Sequence, residues 1–308
     1  MSNTDSGDKT LSKNQKRDAA REKARELREA QKKKEKRSRL LLQGGIVLVV
    51  LVVIAIVALV ISSSVKPAGP GPANMASDGI VIGKDLVGTR TAALPADAEP
   101  VPSAGLGQAG VVDIRVYLDY LCPICGAFEA ANGDQIRTWV ESGIATVEIH
   151  PVAILDNASL GTKYSTRAAN AAACVANYAP DNFFDYNALL FLNQPGEQTE
   201  GLSDEQLKKL LSTASVASAS AVGTCIDEKR FSPWVSAATK RAVAVDASGN
   251  LLIVPVTVPA TTQFGTPTIL VNGVRYTGGV DDAAAFATFV LQQAGTVVPG
   301  SPTPTPAP

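Results

Sequence analysis

Residues 111–140 read VVDIRVYLDYLCPICGAFEAANGDQIRTWV. The opening run, Val111–Leu118, is rich in β-branched residues and reads as a strand. Ala127–Val140 reads as a helix, with Phe128, Ile136, Trp139 and Val140 able to form an inward stripe. Between them lies Cys122-Pro123-Ile124-Cys125, so the cysteine pair sits where a strand hands over to a helix. Pro123 suits the first helical position, where its missing N–H costs nothing. Cys122 then falls at or near the N-cap, where unpaired N–H groups and the helix dipole favour a thiolate. A lowered thiol pKa is what disulfide exchange asks of an attacking sulfur, and Cys125, one turn inside, is placed to resolve.

Two plainer readings compete. A structural disulfide spanning four residues would constrain little. A zinc site would need two more ligands, for which Cys174, Cys225 and His150 are available, but no second C-x-x-C or H-x-H spacing appears and no metal is expected.

Further along, Phe264-Gly265-Thr266-Pro267 precedes Thr268–Val271, then Asn272-Gly273 and Val274–Tyr276. That is a loop, a strand, a hairpin turn and a second strand. A proline opening a strand belongs at its edge or start. A cis Thr266–Pro267 bond is uncommon on its own and becomes an expectation beside the C-x-x-C. Asp281–Gln293 reads as a closing helix with Asp281 at its start.

In the other direction the chain changes character. Leu40–Ile61 is 22 residues without a charge, long enough to cross a hydrocarbon core roughly 30 Å thick. Six Lys and Arg residues between 32 and 39 precede it and only Lys66 follows closely. The positive-inside rule therefore expects 1–39 in the cytoplasm and 62–308 outside. A cleaved signal peptide fits badly, because its apolar region is about 7–15 residues after a short basic start. Residues 1–39 hold 14 Lys+Arg against 7 Asp+Glu, and the rest hold 14 against 22, so a net charge of −1 is +7 joined to −8. The basic arm suits anionic lipid head groups, and nothing aromatic accompanies it to suggest nucleic acid.

The 308 residues are 45% hydrophobic and 19% charged, which excludes a largely disordered chain and a disulfide-dense miniprotein. Residues 62–78 read as a Pro/Gly/Ser/Ala tether and 297–308 as a low-complexity tail, leaving 79–296 as the folded domain. On this arrangement all four cysteines lie on the exported, oxidising side.

The run Asp119–Cys125 followed by Phe128-Glu129, with the later Gly265-Thr266-Pro267-Thr268 and Asn272-Gly273, resembles the DsbA-like branch of the thioredoxin superfamily. More narrowly, it resembles the membrane-anchored thiol–disulfide oxidoreductases of Gram-positive and actinobacterial envelopes. The resemblance implies an α/β thioredoxin-like fold with a helical insertion at about 160–243. It implies Cys122 as nucleophile, Cys125 as its partner, Pro267 as a cis-proline facing the disulfide, and Thr266 as a backbone neighbour pairing with substrate peptide. Pro123 and Ile124 complete the support of the site. Cys174 and Cys225, both inside the implied insertion, read as a structural disulfide closing 51 residues and worth roughly 4 kcal/mol, with a regulatory or electron-relay role as the alternative.

Two departures from the family pattern stand out. Ile124 occupies a position where strongly oxidising members commonly carry His, and Val116 one where many thioredoxin-fold enzymes carry a buried acid. Asp119 then reads either as a turn residue or as an influence on the thiol, and His150 as a strand-end residue or a pH-sensitive neighbour of the site. The implied activity is oxidation of thiols in unfolded, reduced exported proteins, without an organic cofactor. A membrane partner of the DsbB or VKOR type would reoxidise the pair. A reductase or isomerase of the same fold, and a non-catalytic anchored substrate-binding module, remain alternatives. A cysteine hydrolase is weaker, with His150 as its sole histidine base.

Overall fold

The computed structural model describes residues 69–103, 110–246, 251–253 and 264–295, with 21–29, 31–34, 36, 45, 50 and 52–54 nearer the N-terminus. Two units divide between Pro67 and Ala68. In the first, the described residues are helical and exposed. Most of the apolar run 40–61 lies outside the described residues, and among those described no helix is long and apolar enough to cross a membrane. The tail 297–308 also lies outside them.

The second unit is built on a five-stranded mixed sheet with strand order β1-β3-β2-β4-β5. These strands are β1 (Ile80–Ile82), β2 (Val112–Leu118), β3 (Ala145–Pro151), β4 (Thr268–Val271) and β5 (Val274–Arg275). β2 and β3 are parallel and joined by helix α1 (Pro123–Ser142), whereas β1–β3, β2–β4 and β4–β5 are antiparallel. Parallel neighbours require a crossover, and α1 supplies it. Helix α7 (Ala283–Ala294) closes the domain. Phe286 of α7 packs edge-on against Phe128 of α1, ring centroids 5.3 Å apart, and Asn132 donates to the Val280 carbonyl.

Strand period sorts the faces of the sheet. Ile114, Val116 and Leu118 of β2 join the core shared with α1 and α7. Arg115 and Tyr117 point the other way, where Tyr117 packs with Val152, Ala242 and Leu270. Glu148 of β3 lies almost fully buried on this second face. It accepts from Arg115 Nε at 2.9 Å, Ser77 Oγ at 2.5 Å and Ser103 Oγ at 2.8 Å, with His150 Nε2 3.3 Å away.

Between β3 and β4 stand five helices: α2 (Tyr164–Tyr178), α3 (Phe183–Leu192), α4 (Asp204–Thr213), α5 (Ala219–Asp227) and α6 (Ser232–Ala242). α2 carries Ala168–Ala176 buried on every side, as befits a helix enclosed by α3, α5 and α6. Its run of small side chains lets those neighbours approach. Cys174 of α2 and Cys225 of α5 are joined by a disulfide with Cα atoms 5.9 Å apart.

Several boundaries differ from the sequence reading. The segment read as a tether, 62–78, is packed from residue 71 onward: Met75 is 1% exposed, Asn74 Nδ2 donates to the Ala176 carbonyl, and Asn177 Oδ1 accepts from Ala73 N. Proline and glycine there fit a fixed irregular path across α2, a use that composition does not distinguish from flexibility. The closing helix is capped by Asp282, whose carboxylate accepts from Ala285 N, and not by Asp281. The second hairpin strand ends at Arg275, one residue short of Tyr276.

Candidate active site

β2 ends at Leu118 and α1 begins at Pro123, so four residues carry the chain from strand to helix. This loop is held at its root by Asp119. Its fully buried carboxylate accepts from Leu121 N at 2.9 Å, and from Ile154 N and Leu155 N at 2.8 and 3.0 Å. Asp119 is therefore a hydrogen-bonding hub that ties the end of β2 to the segment following β3.

Cys122 is the N-cap residue of α1, in extended conformation with φ −72° and ψ 114°, and Pro123 stands in the first turn. No side chain caps this helix, which leaves its first N–H groups for the sulfur. β4 pairs with β2 from Thr268 opposite Tyr117, which brings Thr266 and Pro267 beside the loop. The Cys122 thiol, while protonated, donates to the Thr266 carbonyl at 3.2 Å, and the Thr266–Pro267 peptide bond is cis. The sequence-expected residues Cys122, Pro123, Cys125, Thr266 and Pro267 thus come together from two ends of the fold. Ile124 projects outward at 55% exposure, between the two sulfurs in sequence but turned to solvent.

Both site cysteines are free thiols and buried. Their acidities are driven apart. The Cys125 thiol, donating to Cys122, outweighs burial and, with Thr266 and the backbone N–H groups of Cys125 and Ile124, brings Cys122 down to about 6. Burial, followed by the adjacent Cys122, pushes Cys125 well above the ordinary thiol range. At neutral pH Cys122 is a thiolate and Cys125 a thiol, the division of labour needed for attack and resolution. His150 takes no part here: it stacks on Tyr117 at 4.3 Å beside Glu148. Among the described residues no cluster of His, Cys, Asp and Glu could hold a metal ion.

A groove of about 660 Å³ runs along α1 from Gly126 to Arg137, walled by α3 and the end of α4. Glu129 lines it, its carboxyl pushed up to about 7 by burial. Leu192, 80% exposed, also lines it.

Gln194, just beyond α3, is the participant that reading the sequence missed. Its Nε2 donates to the Tyr120 carbonyl at 3.1 Å and to the Cys122 carbonyl at 2.9 Å. It stands 72 residues after Cys122 in a polar stretch with no motif, so no local signal could have singled it out.

The chain matches the family described as Thioredoxin over residues 104–250, slightly less than half its length. Among solved structures, the reduced form of a disulfide bond oxidoreductase, DsbG, from Mycobacterium tuberculosis is similar at 27% identity and a TM-score of 0.51. That match covers 75% of this chain and 91% of the other. Oxidised DsbA of the same organism is similar at 27% identity and a TM-score of 0.50, covering 72% of this chain and 95% of the other. No curated protein matches the chain. The fold is accordingly a mixed α/β, thioredoxin-like one.

Proposed function

We propose that this chain is a membrane-anchored, extracytoplasmic thiol–disulfide oxidoreductase that introduces disulfides into exported proteins through Cys122 and Cys125. The observation that carries the reading is the paired thiols at an uncapped helix start, one acidic and one not, against the carbonyl of Thr266. The similarity to DsbG and DsbA supports it.

In the oxidised enzyme a substrate thiolate attacks Cys122 Sγ. The Cys122–Cys125 bond breaks, a mixed disulfide forms, and Cys125 leaves as a thiolate that takes up a proton. A second substrate thiolate then attacks the substrate sulfur of the mixed disulfide, forming the substrate disulfide and releasing Cys122 as a thiolate. Two electrons have passed from the substrate dithiol to the enzyme. The acidity of Cys122 makes it a good leaving group and favours the reduced enzyme, which gives the forward direction its driving force. Turnover then calls for a membrane oxidant of the DsbB or VKOR type.

Export is supported by the basic residues before Leu40–Ile61, which favour a single-pass anchor with its N-terminus in the cytoplasm. The Cys174–Cys225 disulfide suits the oxidising compartment that this orientation provides. A reductase or isomerase is the second reading, favoured by Ile124, which brings no positive charge to the thiolate.

The test is refolding of a reduced, disulfide-containing substrate by the full-length chain and by Cys122→Ala, with the reduction potential of the pair. Oxidase activity lost in Cys122→Ala, with a potential between about −270 and −120 mV, is the expected result. A potential at or below about −270 mV replaces the oxidase with the reductase reading. Equal refolding by the variant removes catalysis altogether.

A further inference from the structure

The start of α1 has a problem of its own making. Helix N-termini are usually held by a Ser, Thr, Asp or Asn side chain that occupies the free N–H groups. Here those groups must stay available to Cys122 Sγ, and Cys122 as N-cap makes no side-chain capping bond. The geometry of the first turn must therefore be held through its other backbone groups.

Asp119 holds the N–H side of the loop at Leu121. The carbonyl side is held by one group alone among the described side chains. Gln194 Nε2 donates at once to the Tyr120 and Cys122 carbonyls, two peptides apart on either side of Leu121. The Cys122 carbonyl is also the acceptor of Gly126 N, the first backbone bond of α1. Gln194 thus grips the oxygen on which the helix begins. Residue 126 shows how closely it fits: a Cβ there would meet Gln194 Oε1 and the amide would have to shift to admit it.

We propose that Gln194 is a positioning residue, reaching from the helical insertion to hold the first turn of α1 so that its N–H groups stay aimed at the Cys122 sulfur. The insertion thereby acts on the chemistry of the site, in addition to covering it. The role rests on the exchange reading above, since positioning Cys122 matters only if Cys122 reacts.

The test is the pH dependence of alkylation of Cys122 in the reduced full-length chain in detergent, with the modified residue identified by mass spectrometry and thermal unfolding followed in parallel. Gln194→Ala, and Gln194→Glu, which keeps the shape but loses the donors, are expected to move the midpoint upward. Below the midpoint the reactive fraction should fall about five-fold, the worth of one ordinary hydrogen bond. Gly126→Ala leaves Gln194 intact but pushes its amide aside, and should move the midpoint in the same direction although alanine favours the helix. A profile in Gln194→Ala that overlays the wild type overturns the proposal, whatever happens to the unfolding temperature. Where Gln194→Ala does not fold, Gly126→Ala decides by the same criterion. Wild-type protein that alkylates normally but never exchanges disulfides would remove the proposed function while the midpoints still decide the role of Gln194.

Discussion

At the residue scale the site is two sulfurs of the same chemistry made different by what surrounds each. Cys122 lies at the helix start and receives hydrogen bonds, whereas Cys125 is one turn inside with burial against its ionisation. Because the largest contribution to the acidity of Cys122 is the Cys125 thiol, Cys125→Ala should raise the Cys122 alkylation midpoint from about 6 toward the ordinary 9. A midpoint that stays near 6 would transfer that role to the backbone N–H groups. Cys122, Pro123 and Cys125 were legible in the sequence because their chemistry follows from a short spacing at a strand-to-helix junction. Asp119 was legible only as an acid near a turn, since two of its three partners, Ile154 and Leu155, come from beyond β3.

At the scale of elements, β2, α1 and the β4–β5 hairpin correspond closely to their sequence signals, because strand period and hairpin turns are local. The helical insertion is a different case. Its helical character followed from the family resemblance, but the alanine-rich α2 has no face of its own to declare which neighbours enclose it. The disulfide between α2 and α5 clamps that arrangement. Replacing Cys174 and Cys225 together by alanine should cost about 4 kcal/mol by the entropy of a 51-residue loop, measured by denaturant unfolding under non-reducing conditions. The Cys122 alkylation profile should be unchanged in that variant, since neither residue is among the groups that set the acidity of Cys122. A shifted profile would show that the staple also shapes the thiol loop.

Across the whole folded unit, the second face of the sheet sets the response to acid. Burial alone would raise Glu148, but His150, Arg115 and Ser77 hold its carboxyl well below its ordinary value of 4.5. Its contribution is therefore complete above pH 4.5 and fades as the pH falls toward the depressed value. Glu148→Gln should lower stability by roughly 3 kcal/mol at neutral pH and flatten the acid limb of the stability curve. Asp113 works in the opposite sense. Burial, helped by Glu148 and opposed by Arg115, raises it to about 6 from 3.8, so its charged form costs stability above that value. Asp113→Asn should stabilise the protein by up to roughly 3 kcal/mol above pH 6, with the gain gone below pH 4, as urea unfolding at the two pH values would reveal. No gain at high pH would mean that Arg115 already neutralises Asp113 in full.

The same contrast marks what residues near one another in sequence can announce. A nucleophile beside a helix start, a partner one turn away and a proline opening a strand are properties of neighbouring residues, so the thiol chemistry and the α/β core could be read directly. The hold of Gln194 on the Cys122 carbonyl and the convergence of Ser77, Ser103 and Arg115 on Glu148 join residues tens of positions apart. The hold of Ala73 and Asn74 on α2 is of the same kind. Such contacts carry no periodicity and no spacing. They exist only once the sheet and the insertion have closed around them, because a buried polar group takes its partner from whatever the packed chain brings within reach.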